Sequence, residues 1–358
     1  MRIVAVHLLN DYSGSPKVLM QLLKCWTKNS IPTLLYTCGG RKGFLSNIPD
    51  VKNHNYWYRF AENKLIRLLF LVTSQLILMC KLLFQLKRTD ILYINTVLPF
   101  GAGIAGKLIG CKIIYHIHET SIKPRILKKV LFFIVKISAS EVVYVSHFLA
   151  SQESLNLKKK VLYNVLEKDF LKRASSNSEN IKNSKIVLMI CSLKSYKGVN
   201  DFLTLAKKNS SYVFKLIVNA SSEDIETFFK NDTLPPNLII YPTQTNTHSF
   251  YSEASLILNL SDVNNWVETF GLTILEGMAY GLPAIVPPVG GVTELVEDGV
   301  NGFRINSKDI DGISKKINSL LSDPVLYLDF SKKAIEKSLN FNTETFEKEA
   351  IMLVSKLY

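Results

Sequence analysis

No two cysteines in this chain stand at a metal-ligand spacing. The five, at positions 25, 38, 80, 111 and 191 of 358, are odd in number and scattered. That pattern excludes a disulfide framework and a zinc ribbon, and Cys80 and Cys111 read as reduced, packed thiols of a cytoplasmic protein. Internal repeats are missing too, which removes solenoids and propellers. A long apolar run is also lacking: the 13 residues between Arg67 and Lys81 are uncharged but include Thr73, Ser74 and Gln75. A spanning helix needs about 20 predominantly apolar residues, so this stretch falls short. The opening Met1–His7 lacks the apolar core and small-residue cleavage site of a signal peptide and reads as a buried strand.

Negative charge is scarce in one half only. Residues 1–165 hold 23 Lys and Arg against 7 Asp and Glu, whereas residues 166–358 hold 20 against 23, for a net charge of +13. Such asymmetry points one half towards a polyanion such as anionic lipid, nucleic acid or an acidic substrate, although surface lysine also accumulates without function. A nucleic-acid module is not legible, since the basic residues are spread over several elements.

What is present is alternation. Ile3–Val6 reads as a strand, then Ser15 caps a helix with Pro16 at its first position. Strands follow at 33–38, 91–95, 112–116, 141–145 and 161–163, with a small-residue helix over Gly101–Gly106 packed closely on the sheet. The polar stretch 172–180 reads as a linker, after which strand 186–191 begins a second alternating half that runs to about residue 335. The expected fold class is α/β, two doubly wound Rossmann-like domains at 1–170 and 184–340.

The most informative line is Glu268-Thr269-Phe270-Gly271-Leu272-Thr273-Ile274-Leu275-Glu276, followed by a Gly281 that stops the helix and Pro283. A helix opening at Gly271-Leu272-Thr273 presents unpaired N–H groups and a positive dipole end to a phosphate. Glu276, in the second turn, is placed to accept hydrogen bonds from neutral hydroxyls such as those of a ribose. Glu268, ahead of the helix, faces the other end of the same ligand. Taken singly, either glutamate reads better as a solvated surface residue. Together with the flanking strands 256–261, apolar with a polar end, and Ala284–Val286, which place these loops at the carboxyl edge of a parallel sheet, they outline a nucleotide-sugar site.

This stretch, with Gly281-Leu282-Pro283, the Gly290-Gly291 turn and Asp298-Gly299-Val300-Asn301-Gly302-Phe303, resembles the retaining GT-B-fold glycosyltransferases of family four, the glycosyl transferases group one. The resemblance implies GT-B architecture, two domains facing across a cleft, with a C-terminal helix at about 342–358 crossing back to the first. It implies donor contacts from Gly14, Phe270, Gly271, Leu272, Thr273 and Glu276, and reaction-centre roles for Glu268, His118 and Lys197. His116-Ile117-His118-Glu119 alone makes too partial a ligand set for zinc. By resemblance no metal and no cofactor is expected beyond the nucleotide-diphosphate sugar itself. Two departures stand out. Cys191-Ser192 replaces a Gly-Arg, removing one phosphate cation for which Lys194 is the substitute at hand, and Ser13-Gly14-Ser15-Pro16 replaces Gly-Gly-Ala-Glu.

The implied function is retaining transfer of a sugar to an acceptor hydroxyl, free or lipid-linked, in cell-surface polysaccharide assembly. A nucleotide-sugar epimerase and a non-catalytic nucleotide-sugar-binding subunit remain as alternatives. Lys123–Lys136 combines a basic cluster with an apolar face. An ordinary buried helix with lysines at its rim and an interfacial helix on anionic lipid both fit it, and the resemblance favours docking at the inner face of a membrane.

Overall fold

Ile3–Val6 (β1) is buried at every residue, as expected for a strand covered on both faces of a parallel sheet. It is an inner strand of the first of two sheets in the computed structural model, and the structure describes residues 2–40, 42–176 and 185–355. The chain divides into two compact units, Met1–Asn164 with Glu344–Tyr358, and Val165–Thr343.

In the first unit the chain runs β1, α1 (Gly14–Lys28), β2 (Thr33–Cys38), β3 (Val51–Tyr56), α2 (Lys64–Gln85), β4 (Ile91–Asn95), α3 (Phe100–Ile109), β5 (Lys112–Ile117), α4 (Arg125–Ser138), β6 (Glu141–Tyr144), α5 (His147–Gln152) and β7 (Lys159–Val161). Every pairing is parallel and the spatial order is β3-β2-β1-β4-β5-β6-β7, so the winding reverses between β1 and β4. Loops at that reversal open a crevice at the carboxyl edge. The small residues of α3 have the role their text suggests. A Cβ on Gly106 would press on Leu92 and Ile113 of the sheet, and one on Gly101 would lie 2.1 Å from the Gln75 carbonyl oxygen of α2. Thus α3 is wedged between the sheet and α2.

Two elements differ from the sequence-based expectation. Val-Lys-Asn-His-Asn-Tyr is β3, an edge strand whose polar residues face outwards. The apolar stretch near residue 70 belongs to a helix of 22 residues, capped by the Asn63 side chain, that continues past Arg67 and Lys81 at its two ends. By length and composition it is long enough and apolar enough to cross a bilayer, which corrects the count of uncharged residues alone.

The second unit runs α6 (Lys168–Ser175), β8 (Ile186–Cys191), α7 (Val199–Lys208), β9 (Val213–Val218), α8 (Ser222–Phe229), β10 (Leu238–Tyr241), α9 (His248–Glu253), β11 (Leu256–Leu258), α10 (Leu272–Ala279), β12 (Ala284–Val286), β13 (Gly302–Arg304), α11 (Ile310–Ser322) and α12 (Pro324–Ser338). Its parallel sheet has the order β10-β9-β8-β11-β12-β13, reversing between β8 and β11. The stretch expected as a linker is helical as far as Ser175, in α6, and its residues 177–180 lie outside the described residues. The Gly290-Gly291 turn leads into a single 3-10 turn, Gly291–Glu294.

Helix α13 (Thr343–Ser355) returns to the first unit, where Phe346, Ala350, Leu353 and Val354 are buried. The Trp26 indole N–H of α1 donates to the Ala350 carbonyl at 3.1 Å, and Lys160 pairs with Glu349. Residues 356–358 of the expected crossover segment lie outside the described residues.

Candidate functional site

Strands β8 and β11 are neighbours at the point of reversal in the second sheet, so the turns that leave them converge. After β8, residues Ser195–Lys197 form a 3-10 turn closed by Gly198. The Tyr196 carbonyl accepts the Asp262 amide at 2.8 Å, tying this turn to the loop that leaves β11. The tie brings Lys197 to Glu268: its Nζ donates to Oε2 at 2.9 Å. The Asn259 side-chain amide approaches the same oxygen at 3.4 Å. Burial opposes the charge on Glu268, but the nearby Lys197 cation and the hydrogen bonds from Lys197 and Asn259 outweigh it and hold the carboxyl below its usual range. Lys197 also lies 4.9 Å from the centre of the Trp266 ring, which stacks on Tyr196 at 5.4 Å and 20°. The Trp266 indole N–H is buried and has no hydrogen-bond acceptor among the described residues. Burial pushes the neighbouring Cys191 thiol up to about 12, so it stays protonated near neutrality.

The backbone of Glu268 is fixed from the next turn of the sheet edge. Its carbonyl accepts the Gly291 amide at 2.8 Å, and a Cβ on Gly290 would lie 2.5 Å from that oxygen. Two residues on, Phe270 is buried and Gly271 adopts φ +96°, a left-handed conformation that suits glycine. Gly271 is the N-cap of α10 and, as a glycine, brings no capping side chain to that helix. The amides of Leu272 and Thr273 therefore open the helix on the same loop that carries Glu268. Glu276 follows one turn later and is buried, and its Oε2 accepts the Tyr251 hydroxyl at 2.5 Å. Tyr251 stacks on Tyr280, whose hydroxyl lies 2.6 Å from His248 Nδ1, and Phe170 packs on His248. An aromatic wall thus backs the second glutamate. Lys194 is exposed, and its charge is felt at Asp224.

The remaining expected residues sit at the equivalent edge of the first sheet. His118 Nε2 lies 2.9 Å from Asn95 Oδ1, His116 Nδ1 lies 2.8 Å from the Tyr93 hydroxyl, and His7 Nδ1 lies 3.1 Å from the Asn95 carbonyl. The rings of His116 and His118 are 4.3 Å apart, as their shared side of the strand predicts. Burial lowers all three, His7 to about 4 and His116 to about 3, and His118 is lowered further by its two histidine neighbours. They are neutral imidazoles at pH 7. Gly14 opens α1, with nothing within 4 Å of where a Cβ would stand.

Lys197, Glu268, Phe270, Gly271, Leu272, Thr273 and Glu276 thus share one edge of the second unit, and His118 and Gly14 share one edge of the first. Sequence reasoning did not single out Asn259, Tyr251, Asn95 or the hold of Gly290 on Glu268. The one available signal was the polar end Asn259-Leu260-Ser261 on an otherwise apolar strand.

Residues 172–337 match the family model of the glycosyl transferases group 1. The chain is 26% identical over 274 residues to N-acetyl-alpha-D-glucosaminyl L-malate synthase of Bacillus anthracis, covering 70% of each protein. It is 31% identical over 172 residues to an uncharacterized glycosyltransferase of Haemophilus influenzae, covering 46% of this chain and 48% of that one, about half its length. Among solved structures, HepE of Anabaena in complex with UDP and glucose superposes with a TM-score of 0.82 at 18% identity over the whole of both chains. TarM of S. aureus, in complex with Fondaparinux, alpha-GlcNAc-glycerol and UDP, gives 0.76 at 13% identity, covering 99% of this chain and 100% of that one. With two Rossmann-like parallel-sheet units of the GT-B fold, the chain carries over residues 172–337 of its second unit the domain of the glycosyl transferases group 1.

Proposed function

We propose that the protein moves a sugar from a nucleoside-diphosphate donor to an acceptor hydroxyl with retention of anomeric configuration. The observation that carries the reading is the Lys197–Glu268 pair at 2.9 Å beside the start of α10. A cation and a row of backbone N–H groups suit a diphosphate, whose negative charge grows as the sugar–phosphate bond breaks. Glu268, kept ionised, suits hydrogen bonds from sugar hydroxyls, and Glu276 suits the ribose. The Trp266 indole N–H is a further donor for a ligand oxygen. In this reading a donor phosphate oxygen takes the acceptor proton, so no dedicated base, metal or further cofactor is required. A retaining glycosidase would instead need a pair of carboxylates flanking the bond, and Glu268 is engaged by Lys197. His118 in the first unit has a supporting role by resemblance. The names of HepE and TarM structures place UDP with both proteins, which favours a uridine donor. A free or lipid-linked sugar acceptor of cell-surface polysaccharide assembly, met at the cytoplasmic face of a membrane, completes the proposal.

The test is donor binding and turnover in two variants. Glu276→Ala should raise the donor KM by tenfold or more, because a buried hydroxyl partner worth about 1.5–3 kcal/mol is lost. Glu268→Ala should lower kcat by about a hundredfold while changing donor affinity little. Wild-type kinetics in both variants would overturn the site. An epimerised sugar formed from donor alone would favour the epimerase, and tight donor binding without slow donor hydrolysis would favour a binding subunit.

A further inference from the structure

Helices α2 and α4 both pack on α3, one on each side of it, on one face of the first sheet. The inner face of α2 is committed to the fold. Leu71, Ser74, Gln75, Leu78 and Leu82 are buried, and the Gln75 side chain accepts the Gly101 amide at 3.2 Å. Its outer face is apolar from end to end: Leu65 is 78% exposed, Phe84 is 91% exposed, and Leu69, Val72 and Leu76 lie between them. Helix α4 presents a second stripe at helical spacing, Ile126, Val130, Phe133 and Ile137, with Ile126 76% exposed and Phe133 59% exposed. Soluble proteins rarely expose contiguous apolar surface on this scale without a partner.

The surrounding charge selects the partner. Residues 59–140 carry 13 Lys and Arg against three Asp and Glu. Lys64, Lys81, Lys107, Arg125, Lys129 and Lys136 are all exposed, Asp90 is buried against Arg2, and Glu62 is the one exposed carboxylate among these three. A second copy of this face would meet its own positive charge in a self-complementary interface, which works against pairing. A bilayer bearing anionic headgroups matches both features, since acyl chains cover the stripes and headgroups meet the rim. The apolar line runs along the whole length of α2 while the opposite side is held by α3, so the helix lies in the interface and does not span it.

We propose that the outer face of α2 and α4 is a docking surface for an anionic membrane, with α2 as its principal contact. The sequence had pointed to α4 alone. The proposal stands apart from the transferase reading and is tested without donor or acceptor. The full-length chain is floated with vesicles of equimolar phosphatidylcholine and phosphatidylglycerol, and with phosphatidylcholine alone. Wild type should rise with the anionic vesicles only, and less so in high salt. Leu69→Glu with Leu76→Glu should reduce the bound fraction about tenfold at unchanged thermal stability, and Val130→Glu with Phe133→Glu should reduce it less. If the glutamate variants fail to fold, Lys64→Ser with Lys81→Ser should still weaken anionic binding severalfold. The proposal is overturned if wild type floats with neither vesicle, if the α2 or lysine variants float as well as wild type, or if wild type is a dimer that Leu69→Glu with Leu76→Glu makes monomeric.

Discussion

A methyl group at position 290 would stand 2.5 Å from the Glu268 carbonyl oxygen, on a backbone at φ +123°. Gly290→Ala should therefore destabilise the second unit by roughly 1–3 kcal/mol and displace Glu268. Thermal denaturation reads the first effect and a fall in kcat reads the second. Trp266 offers a subtler change. Trp266→Phe keeps an aromatic face towards Tyr196 and Lys197 but removes the buried N–H. Loss of one hydrogen bond to a ligand oxygen, about 1 kcal/mol, should raise the donor KM about fivefold at unchanged thermal stability. At this scale the two glutamates, the Gly271-Leu272-Thr273 opening and Lys197 were legible because each lies in short contiguous text with a local structural consequence. The grip of Gly290 on Glu268 links residues 22 positions apart through the edges of adjacent strands, which no local pattern encodes. Tyr251 reaches Glu276 from another helix in the same way.

At the scale of elements, β1, β4 and β5 end together and gather His7, Asn95, His116 and His118 with Glu119. Burial lowers His7 to about 4 and His116 to about 3, so the unfolded chain takes up their protons first as pH falls from about 6.5. Each then contributes a loss of about 1.4 kcal/mol per pH unit between its unfolded and folded values. Glu119 works in the opposite direction. Burial raises it to about 7, so the folded state binds its proton first and gains stability as pH falls towards the ordinary carboxylate range. Melting temperature should thus decline below pH 6.5, and more steeply between about 4.5, where the Glu119 gain is complete, and about 4, where folded His7 takes up its proton as well. Glu119→Gln removes that gain, and its melting temperature should fall more steeply than that of wild type between pH 6.5 and 4.5. Equal slopes would show that Glu119 is not protonated early in the folded protein. The histidine text was legible as one side of a strand, but its partners on β1 and β4 required the sheet order. Apolar strands such as β1 and β4 announce themselves by β-branched runs. β3 does not, because an edge strand keeps its polar side chains in solvent.

For the molecule as a whole, alternation of strands and helices made two Rossmann-like sheets legible, and a short motif made the family match of the second legible. The point of division was not. The polar stretch 172–180 resembles a linker by composition, yet the units part at residue 164 and α6 already belongs to the second. Polarity marks solvation and not where packing stops. The return of the chain end follows the same logic. α13 shares the first unit's core, where Phe346, Leu353 and Val354 are buried and Ala350 accepts the Trp26 indole N–H. Each of those three large apolar side chains contributes about 1.5–3 kcal/mol by burial. A chain ending at residue 342 should therefore lose more than about 5 kcal/mol from the first unit while the second keeps its sheet intact. The loss should appear as an early melting transition accompanied by a red shift in the fluorescence of Trp26, which is otherwise fully buried. A truncated chain that melts at the wild-type temperature would mean that this helix does not stabilise the first unit.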